Sequence, residues 1–380
     1  MKRVWMLTLV VLSPVWSAQE ASWEQGLTDG SQLQRQGRYV EAEQAYWTVL
    51  KAVENAVQPR ARVIAHLRSL AFAYRQADRH MELEALYRRL LALWDEKRWP
   101  ADKEQASLLI GLADVYGSVA AYSNALPLYR RALSIWQSVV GQEDVEITPT
   151  MGNVASLLYR LHRYSEAEHL YRRVVAIQEG ALDSEHPDLA TTRNNLGAVY
   201  QAMARYGDAK KLYSQALLVR EKALGPRHPL VGRTLNNLAN LFAEQGMEAD
   251  AEGLYRRAIG IGEETIPPDE RLLAATFSNW AQLYWDRRKY QQAEALSLRA
   301  LAACEKVVCP EHPNLAISLA IHAAILRKLK RRKEAEQLEA QAKGIMARHG
   351  PGPGALTIDI TRLRPSRRLQ REWAWNRICR

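Results

Sequence analysis

The sequence lacks the features that define several classes of protein. Its 380 residues include only 3 cysteines, too few for a disulfide framework, and no CxxC pair. Only 3 phenylalanines occur, and no stretch alternates Val, Ile, Phe and Thr as half-buried strands do. The apolar run at residues 4–12 is too short to span a bilayer. A composition of 47% hydrophobic and 25% charged residues excludes a disordered, collagen-like or multi-spanning membrane chain.

The formal charge of +10 is concentrated at the two ends of the chain. Lys2 and Arg3 lie at the start, and the seven arginines after His349 outnumber the acidic residues Asp359 and Glu372. The body between the two ends is therefore nearly balanced. Net charge alone is weak ground for a nucleic-acid partner, and the sequence does not favour one.

The first 18 residues have the pattern of a signal peptide. Lys2 and Arg3 precede the apolar run, which is followed by Pro14 and by the small residues Ser17 and Ala18. We expect cleavage after Ser17 or Ala18 and a periplasmic or secreted protein. The alternative is an apolar N-terminal helix on a cytoplasmic protein.

A repeat of 42 residues fills most of the chain. The same residue types recur at this interval in Tyr87, Tyr129, Tyr171, Tyr213 and Tyr255, in Ala125, Ala167, Ala209, Ala251, Ala293 and Ala335, and in Asn153, Asn195, Asn237 and Asn279. A fixed period of this length is typical of repeat proteins, in which each unit packs on the next.

Each unit has the spacing of a helical hairpin. Leu196 and Tyr200 share one helix face, and after a short turn the apolar residues from Ala209 to Leu217 recur at i, i+3 and i+4. Gly197 and Ala209 are the small residues of the unit. Small residues on facing helices let the two backbones approach closely.

This pattern resembles the tetratricopeptide repeat. The residues that match its signature in order are Leu196, Gly197, Tyr200, Ala209, Tyr213 and Ala216. The period of 42, the paired asparagines and the recurring His-Pro resemble more narrowly the repeats of kinesin light chains and their bacterial relatives. The resemblance implies an all-α, right-handed superhelix of about eight hairpins, with the first helices lining a concave groove.

The expected domain organisation follows from the leader and the repeats. Residues 1–18 are the signal peptide, 24–348 the repeat array and 349–380 a flexible basic tail. The expected units lie near 24–57, 64–97, 106–139, 148–181, 190–223, 232–265, 274–307 and 316–348. Pro187, Pro229 and Pro313 suit the first turn of a helix, where a missing N–H is tolerated.

No motif points to catalysis. The sequence has no Walker phosphate loop, no GxGxxG, no GxSxG, no HExxH and no EF-hand loop, so we expect neither an enzyme nor a cofactor. Cys304, Cys309 and His312 have no apparent fourth ligand, which argues against a metal site. A local disulfide between Cys304 and Cys309 is left open. His186 and His228, each followed by Pro, are interpreted as capping or turn residues.

The resemblance places a set of polar and aromatic residues in the groove. The predicted site residues are Asn153, Arg160, Asn194, Asn195, Arg233, Asn236, Asn237, Asn240, Asn279 and Trp285. An asparagine amide both donates and accepts, so a row of them can hold the backbone of an extended peptide. An equal alternative to ligand binding is that the amides stiffen the stack of repeats; it applies to Asn153, Asn195, Asn237 and Asn279. Asn194, Asn236 and Asn240 are favoured as ligand residues.

Other groove positions suggest the chemistry of the ligand. Basic residues outnumber acidic ones there, which favours an acidic peptide or a C-terminal carboxylate. The aromatic ring of Trp285 is a candidate apolar anchor for a peptide side chain.

The tail permits three interpretations. Residues 351–354 read Pro-Gly-Pro-Gly, and the arginines beyond them are interspersed with Leu369, Trp373 and Trp375. The tail could solubilise the protein, contact a membrane surface or polyanion, or dock in a groove.

The main hypothesis is a non-enzymatic scaffold that binds peptide or protein segments. The alternative is an envelope or assembly adaptor that contacts membrane, nucleic acid or polyanion through the tail. The sequence leaves the oligomeric state open.

Overall fold

The computed structural model describes residues 14–77, 79–119, 121–307 and 313–348. Within these ranges the chain forms α-helices and one short 3-10 helix, with no strand. The predicted all-α solenoid of helical hairpins is confirmed. Residues 1–13 of the expected leader, Cys309, His312 and the expected tail at 349–380 lie outside the described residues. The leader and the other domain limits stay predictions.

The helices follow one another in pairs joined by three-residue turns. They are α1 (Pro14–Arg35), α2 (Tyr39–Val53), α3 (Val57–Gln76), α4 (His80–Glu96), α5 (Lys103–Ser118), α6 (Tyr122–Val140), α7 (Thr148–Arg160), α8 (Tyr164–Ala181), α9 (Pro187–Ala202), α10 (Tyr206–Leu224), α11 (Pro229–Glu244), α12 (Glu248–Glu264), α13 (Glu270–Asp286), α14 (Tyr290–Val307), α15 (Pro313–Lys328) and α16 (Arg332–Arg348). We call the odd-numbered helices first helices and the even-numbered ones second helices.

The chain divides into two compact units. The N-terminal unit comprises Met1–Val119 and Arg131–Val139, and the C-terminal unit comprises Ala120–Arg130 and Val140–Arg380. Residues of α6 belong to both. In the C-terminal unit each first helix packs on the second helix of its own pair, and each second helix packs on the first helix that follows. This is the packing of a helical solenoid.

Small residues set the distance between the two helices of a pair. A Cβ atom on Gly197 would lie 2.9 Å from a ring carbon of Tyr213, and one on Gly30 would lie 2.4 Å from the ring of Tyr46. Both tyrosines are fully buried. The predicted close approach of the two backbones is therefore confirmed, and a larger side chain at these positions would force the pair apart.

Each of the five first helices of the C-terminal unit is followed by a turn that contains a left-handed residue. His162, Ala204, Gly246, Arg288 and Lys330 follow the 42-residue period and have φ between 58° and 82°. After α9, the backbone amide of Arg205, the residue that follows Ala204, donates to the carbonyl oxygen of Tyr200 at 2.8 Å, as in a Schellman motif. Only one of the five is glycine, so the other four hold a backbone conformation that is unfavourable for side chains with a Cβ.

The His-Pro dipeptides cap helices. His186 Nδ1 accepts a hydrogen bond from the backbone amide of the second residue of α9, and His228 Nδ1 does the same for α11, both at 3.1 Å. Pro187 and Pro229 are the first residues of those helices. The expected capping role of both histidines is confirmed. Asp269 replaces histidine before α13, where its carboxylate accepts from a backbone amide at 3.0 Å.

Candidate functional site

The first helices of the C-terminal unit form a common surface. α7 contacts α9, α9 contacts α11, and α11 contacts α13. We call a set of solvent-accessible residues on these four helices the first-helix face. It comprises Asn153, Ser156, Tyr159, Arg160, Asn195, Ala198, Gln201, Ala202, Arg233, Asn240, Ala243, Glu244, Gln282, Trp285 and Asp286.

Four of the ten predicted site residues are buried and do not belong to that face. Asn194, Asn236 and Asn237 are 2–3% exposed, and Asn279 is 8% exposed. Asn237 Nδ2 donates to Asn194 Oδ1 at 3.1 Å, and Asn279 Nδ2 donates to Asn236 Oδ1 at 3.1 Å. The same amide bond thus joins α9 to α11 and α11 to α13. We call these four residues the asparagine ladder.

The ladder corrects the prediction that Asn194 and Asn236 are ligand residues. Their amide oxygens are turned toward the next hairpin and are occupied there. Stiffening of the stack, the alternative role of Asn237 and Asn279, describes all four. Because buried amides are costly unless they are hydrogen-bonded, the ladder fixes how neighbouring first helices align.

The ladder has a sequence rule that the 42-residue period alone does not reveal. Donor and acceptor are 43 residues apart, so each rung needs an asparagine at one position and another 43 residues later. For Asn195 the position 43 residues earlier is Gly152, which has no side-chain amide. Asn195 therefore cannot form the same rung, and it is half-buried although it shares the period of Asn237.

Asn240 lies on the first-helix face, and its side chain is held by a hydrogen bond from a buried tyrosine. The hydroxyl of Tyr255 donates to Asn240 Oδ1 at 2.5 Å. Burial raises the pKa of the Tyr255 hydroxyl well above its usual value, so this group remains a donor at physiological pH. The bond engages the amide oxygen of Asn240 and orients the side chain on the surface.

Several of the basic residues expected at the groove positions are engaged by neighbouring groups. Arg233 lies 3.4 Å from Asp269, which precedes α13. The Arg160 guanidinium donates to the hydroxyl of Tyr122 at 3.1 Å and lies 5.5 Å from its ring centroid. The same holds in the N-terminal unit, where Arg68 pairs with Glu104 at 2.9 Å. Because Asp269 and Glu104 lie outside the groove positions, the excess of basic residues at those positions overstates the positive charge of the surface.

Aromatic residues lie where two of the first helices end. Trp285 is half-buried, and its ring meets Tyr290 edge-on with 5.5 Å between centroids. Tyr159 and Tyr164 occupy the same repeat positions three periods earlier, with centroids 5.6 Å apart. These rings give the polar face two places where an apolar side chain of a ligand could pack.

Phe72 is an accessible aromatic that is not among the predicted site residues. It lies on α3 in the N-terminal unit and is 63% exposed. Its repeat position corresponds to that of Asn240, four periods later. Because the sequence of the first units is degenerate, only the alignment of positions by the 42-residue period relates Phe72 to Asn240.

Within the described ranges, none of the helices combines the length and the hydropathy that a transmembrane span requires. No three His, Cys, Asp or Glu side chains of those ranges are grouped so that they could hold a metal ion. Cys304 is buried, and burial raises the pKa of its thiol.

Comparison with known proteins gives a family and several structural neighbours. The family model described as tetratricopeptide repeat matches residues 62–138, 146–217, 188–264 and 272–347. A putative kinesin light chain from Podosopora anserina, a protein of nearly identical TPR-like repeats, is 25% identical over 55% of this chain and 99% of its own, with a TM-score of 0.42. No match was found among the curated proteins.

Two further solved structures share the fold at lower identity. A Rap protein, solved in complex with competence and sporulation factor, is 12% identical and covers 87% of this chain and 99% of its own, with a TM-score of 0.51. The quorum sensor NprR from B. thuringiensis, solved in its apo form, is 13% identical with the same two coverages and a TM-score of 0.50. At this identity the likeness concerns the fold alone.

Proposed function

The chain belongs to the tetratricopeptide repeat family, and on that basis we propose that its C-terminal unit binds an extended peptide segment of a partner protein along the first-helix face. The repeats make the protein a scaffold for protein–protein interaction. The proposed activity is binding without catalysis.

The observation that carries the proposal is the composition of the accessible surface once the asparagine ladder is set aside. Asn153, Asn195 and Asn240 remain accessible on three successive first helices, α7, α9 and α11. The accessible small residues Ala198 and Ala202 of α9 and Ala243 of α11 belong to the same face. Amides can pair with the N–H and C=O groups of a peptide backbone, and alanines allow that backbone to come close.

The ladder supports this surface from behind. Extended peptides are held by groups at fixed intervals, so the first helices must keep a constant register. Rungs from Asn237 to Asn194 and from Asn279 to Asn236 hold α9, α11 and α13 in such a register. A preorganised surface loses less conformational entropy on binding.

The aromatic residues and ion pairs of the face indicate the chemistry of the ligand. Trp285 and Tyr159 support a preference for peptides with apolar or aromatic side chains near the ends of the face. The expected preference for acidic peptides is weakened by the ion pair of Arg233 with Asp269. Export, and therefore a partner outside the cytoplasm, is part of the proposal and is supported by the leader sequence of residues 1–18 alone.

A displayed library of random peptides tests the proposal. A peptide selected on the whole protein is labelled and titrated by fluorescence anisotropy against wild type and against Asn153→Ala combined with Asn195→Ala. We expect the double variant to bind at least tenfold more weakly with an unchanged melting temperature. Asn124→Ala is the matched control, because Asn124 is an exposed asparagine on the second helix α6.

Two results would contradict the proposal. One is a library from which no peptide is enriched. The other is an enriched peptide that binds the double variant and the control as tightly as wild type, since its site would then lie away from the first-helix face. A steep fall in affinity with salt would indicate contacts dominated by charge, which this face does not predict.

A further inference from the structure

The loop between α12 and α13 differs from the other links in the C-terminal unit. The link before α11 reads Gly225–Pro229 with a His-Pro cap, whereas the loop Thr265–Asp269 reads Thr-Ile-Pro-Pro-Asp. Ile266 in this loop is 96% exposed, more than any other large hydrophobic residue in the part of the chain that the structure describes. Leaving an isoleucine in water forgoes most of the free energy that its burial would provide.

An apolar cavity opens beside the same loop. Its volume is about 360 Å³, and Pro268 forms part of its rim. Leu273 and Phe277 of α13 and Ala302 and Ala303 of α14 form its apolar walls. A cavity of this size lies at the lower end of the range that accepts a small organic group, so it can take one branched side chain together with part of a proline ring.

The charged rim of the cavity is balanced. Arg299 pairs with Glu263 at 2.6 Å, and Lys306 pairs with Glu270 at 2.7 Å. The Arg299 guanidinium also lies 4.1 Å from the ring centroid of Phe277 in the cavity wall. With two positive and two negative groups side by side, the rim can face a copy of itself with each charge opposite one of the other sign.

We propose that the protein self-associates through this surface, with Ile266 of each copy entering the cavity of the other. The protruding side chain and the cavity lie next to each other on one surface. A two-fold axis between them therefore fills both cavities and buries both isoleucines in a single contact. A second copy of this chain is the occupant that supplies the protrusion, the cavity and the complementary rim at once. The proposal does not depend on peptide binding at the first-helix face.

Sedimentation velocity of the whole protein over a hundredfold range of concentration tests the proposal. We expect a monomer–dimer equilibrium for wild type. Ile266→Asp removes the protruding side chain and places a charge opposite the apolar walls. Ala302→Trp fills the cavity from an exposed position. Each variant should weaken dimerisation at least tenfold while its circular dichroism spectrum and melting temperature remain those of wild type.

Two comparisons distinguish dimerisation through this surface from nonspecific hydrophobic association. Leu218→Asp is the matched control, because Leu218 is 68% exposed on α10 in the same unit and lies outside the proposed contact. It should dimerise like wild type. An equimolar mixture of Ile266→Asp and Ala302→Trp should associate more tightly than either variant alone, since one intact protrusion then meets one intact cavity.

The proposal is overturned by any of three results. Wild type could sediment as a monomer at every concentration, Ile266→Asp could dimerise like wild type, or the mixed variants could associate no better than each alone.

Discussion

The asparagine ladder makes a prediction that separates a structural role from a ligand-binding one. The perturbation is Asn237→Ala, which removes the donor to Asn194 and leaves that oxygen buried at a site that is 2% exposed. Its counterpart is Asn153→Ala. Asn153 has the same repeat position two periods earlier and is exposed.

The size of the effect follows from the burial of the partner. Removing one partner of a buried hydrogen bond costs about 1–3 kcal/mol, because the remaining polar group is desolvated without compensation. We therefore expect Asn237→Ala to lower the free energy of unfolding by about 1–3 kcal/mol. Asn153→Ala should change it by less than about 0.5 kcal/mol, as for an ordinary surface substitution.

Urea denaturation followed by circular dichroism measures both effects. The double-mutant cycle of Asn194→Ala with Asn237→Ala isolates the bond itself, and we expect a coupling of about 0.5–1.5 kcal/mol. Equal costs for Asn237→Ala and Asn153→Ala, or a coupling indistinguishable from zero, would refute the assignment of the ladder to the packing of hairpins.

Two further predictions concern stability. Ala204 has φ of 60°, so Ala204→Gly should raise the free energy of unfolding by about 0.5–1 kcal/mol. Ala202→Gly, at the last residue of α9, should lower it by a similar amount. The midpoints of urea denaturation measure both changes, and a loss of stability in Ala204→Gly would contradict the left-handed conformation of residue 204. His322 is buried, lies 2.8 Å from the hydroxyl of Ser297, and is faced by Glu294, Arg331 and Glu334. Burial lowers its pKa below the ordinary value of about 6.5, so the unfolded chain takes up the proton first, and stability present above pH 6.5 should be lost as the pH falls through that value toward the lowered pKa. Melting temperatures measured from pH 7.5 to about 5 should fall more steeply for wild type than for His322→Gln, and identical slopes would show that this histidine is not linked to folding.

The hairpins could be predicted from sequence because each depends on residues close together in the chain. Leu196 and Tyr200 define one helix face, and Gly197 marks where the ring of Tyr213 packs. The His-Pro caps are equally local, since His186 bonds an amide only two residues away. Local spacing and the 42-residue period therefore suffice for the architecture.

The surface could be predicted only in part, because it depends on how one hairpin faces the next. Asn195 and Asn237 look equivalent by period, yet only Asn237 has an asparagine 43 residues earlier with which to pair. Likewise the ion pair of Arg233 with Asp269 joins a groove position to a position outside the groove. The exposure of Ile266 and the cavity beside it arise from a loop that departs from the repeat, so the period carries no information about them.

Hydrogen–deuterium exchange with and without the selected peptide addresses the proposed recognition surface most directly. The amides of α7, α9, α11 and α13 should become more protected when peptide is present, and those of α8, α10 and α12 should change little. Protection that falls instead on the second helices, or on the tail beyond residue 348, would contradict recognition by the first-helix face.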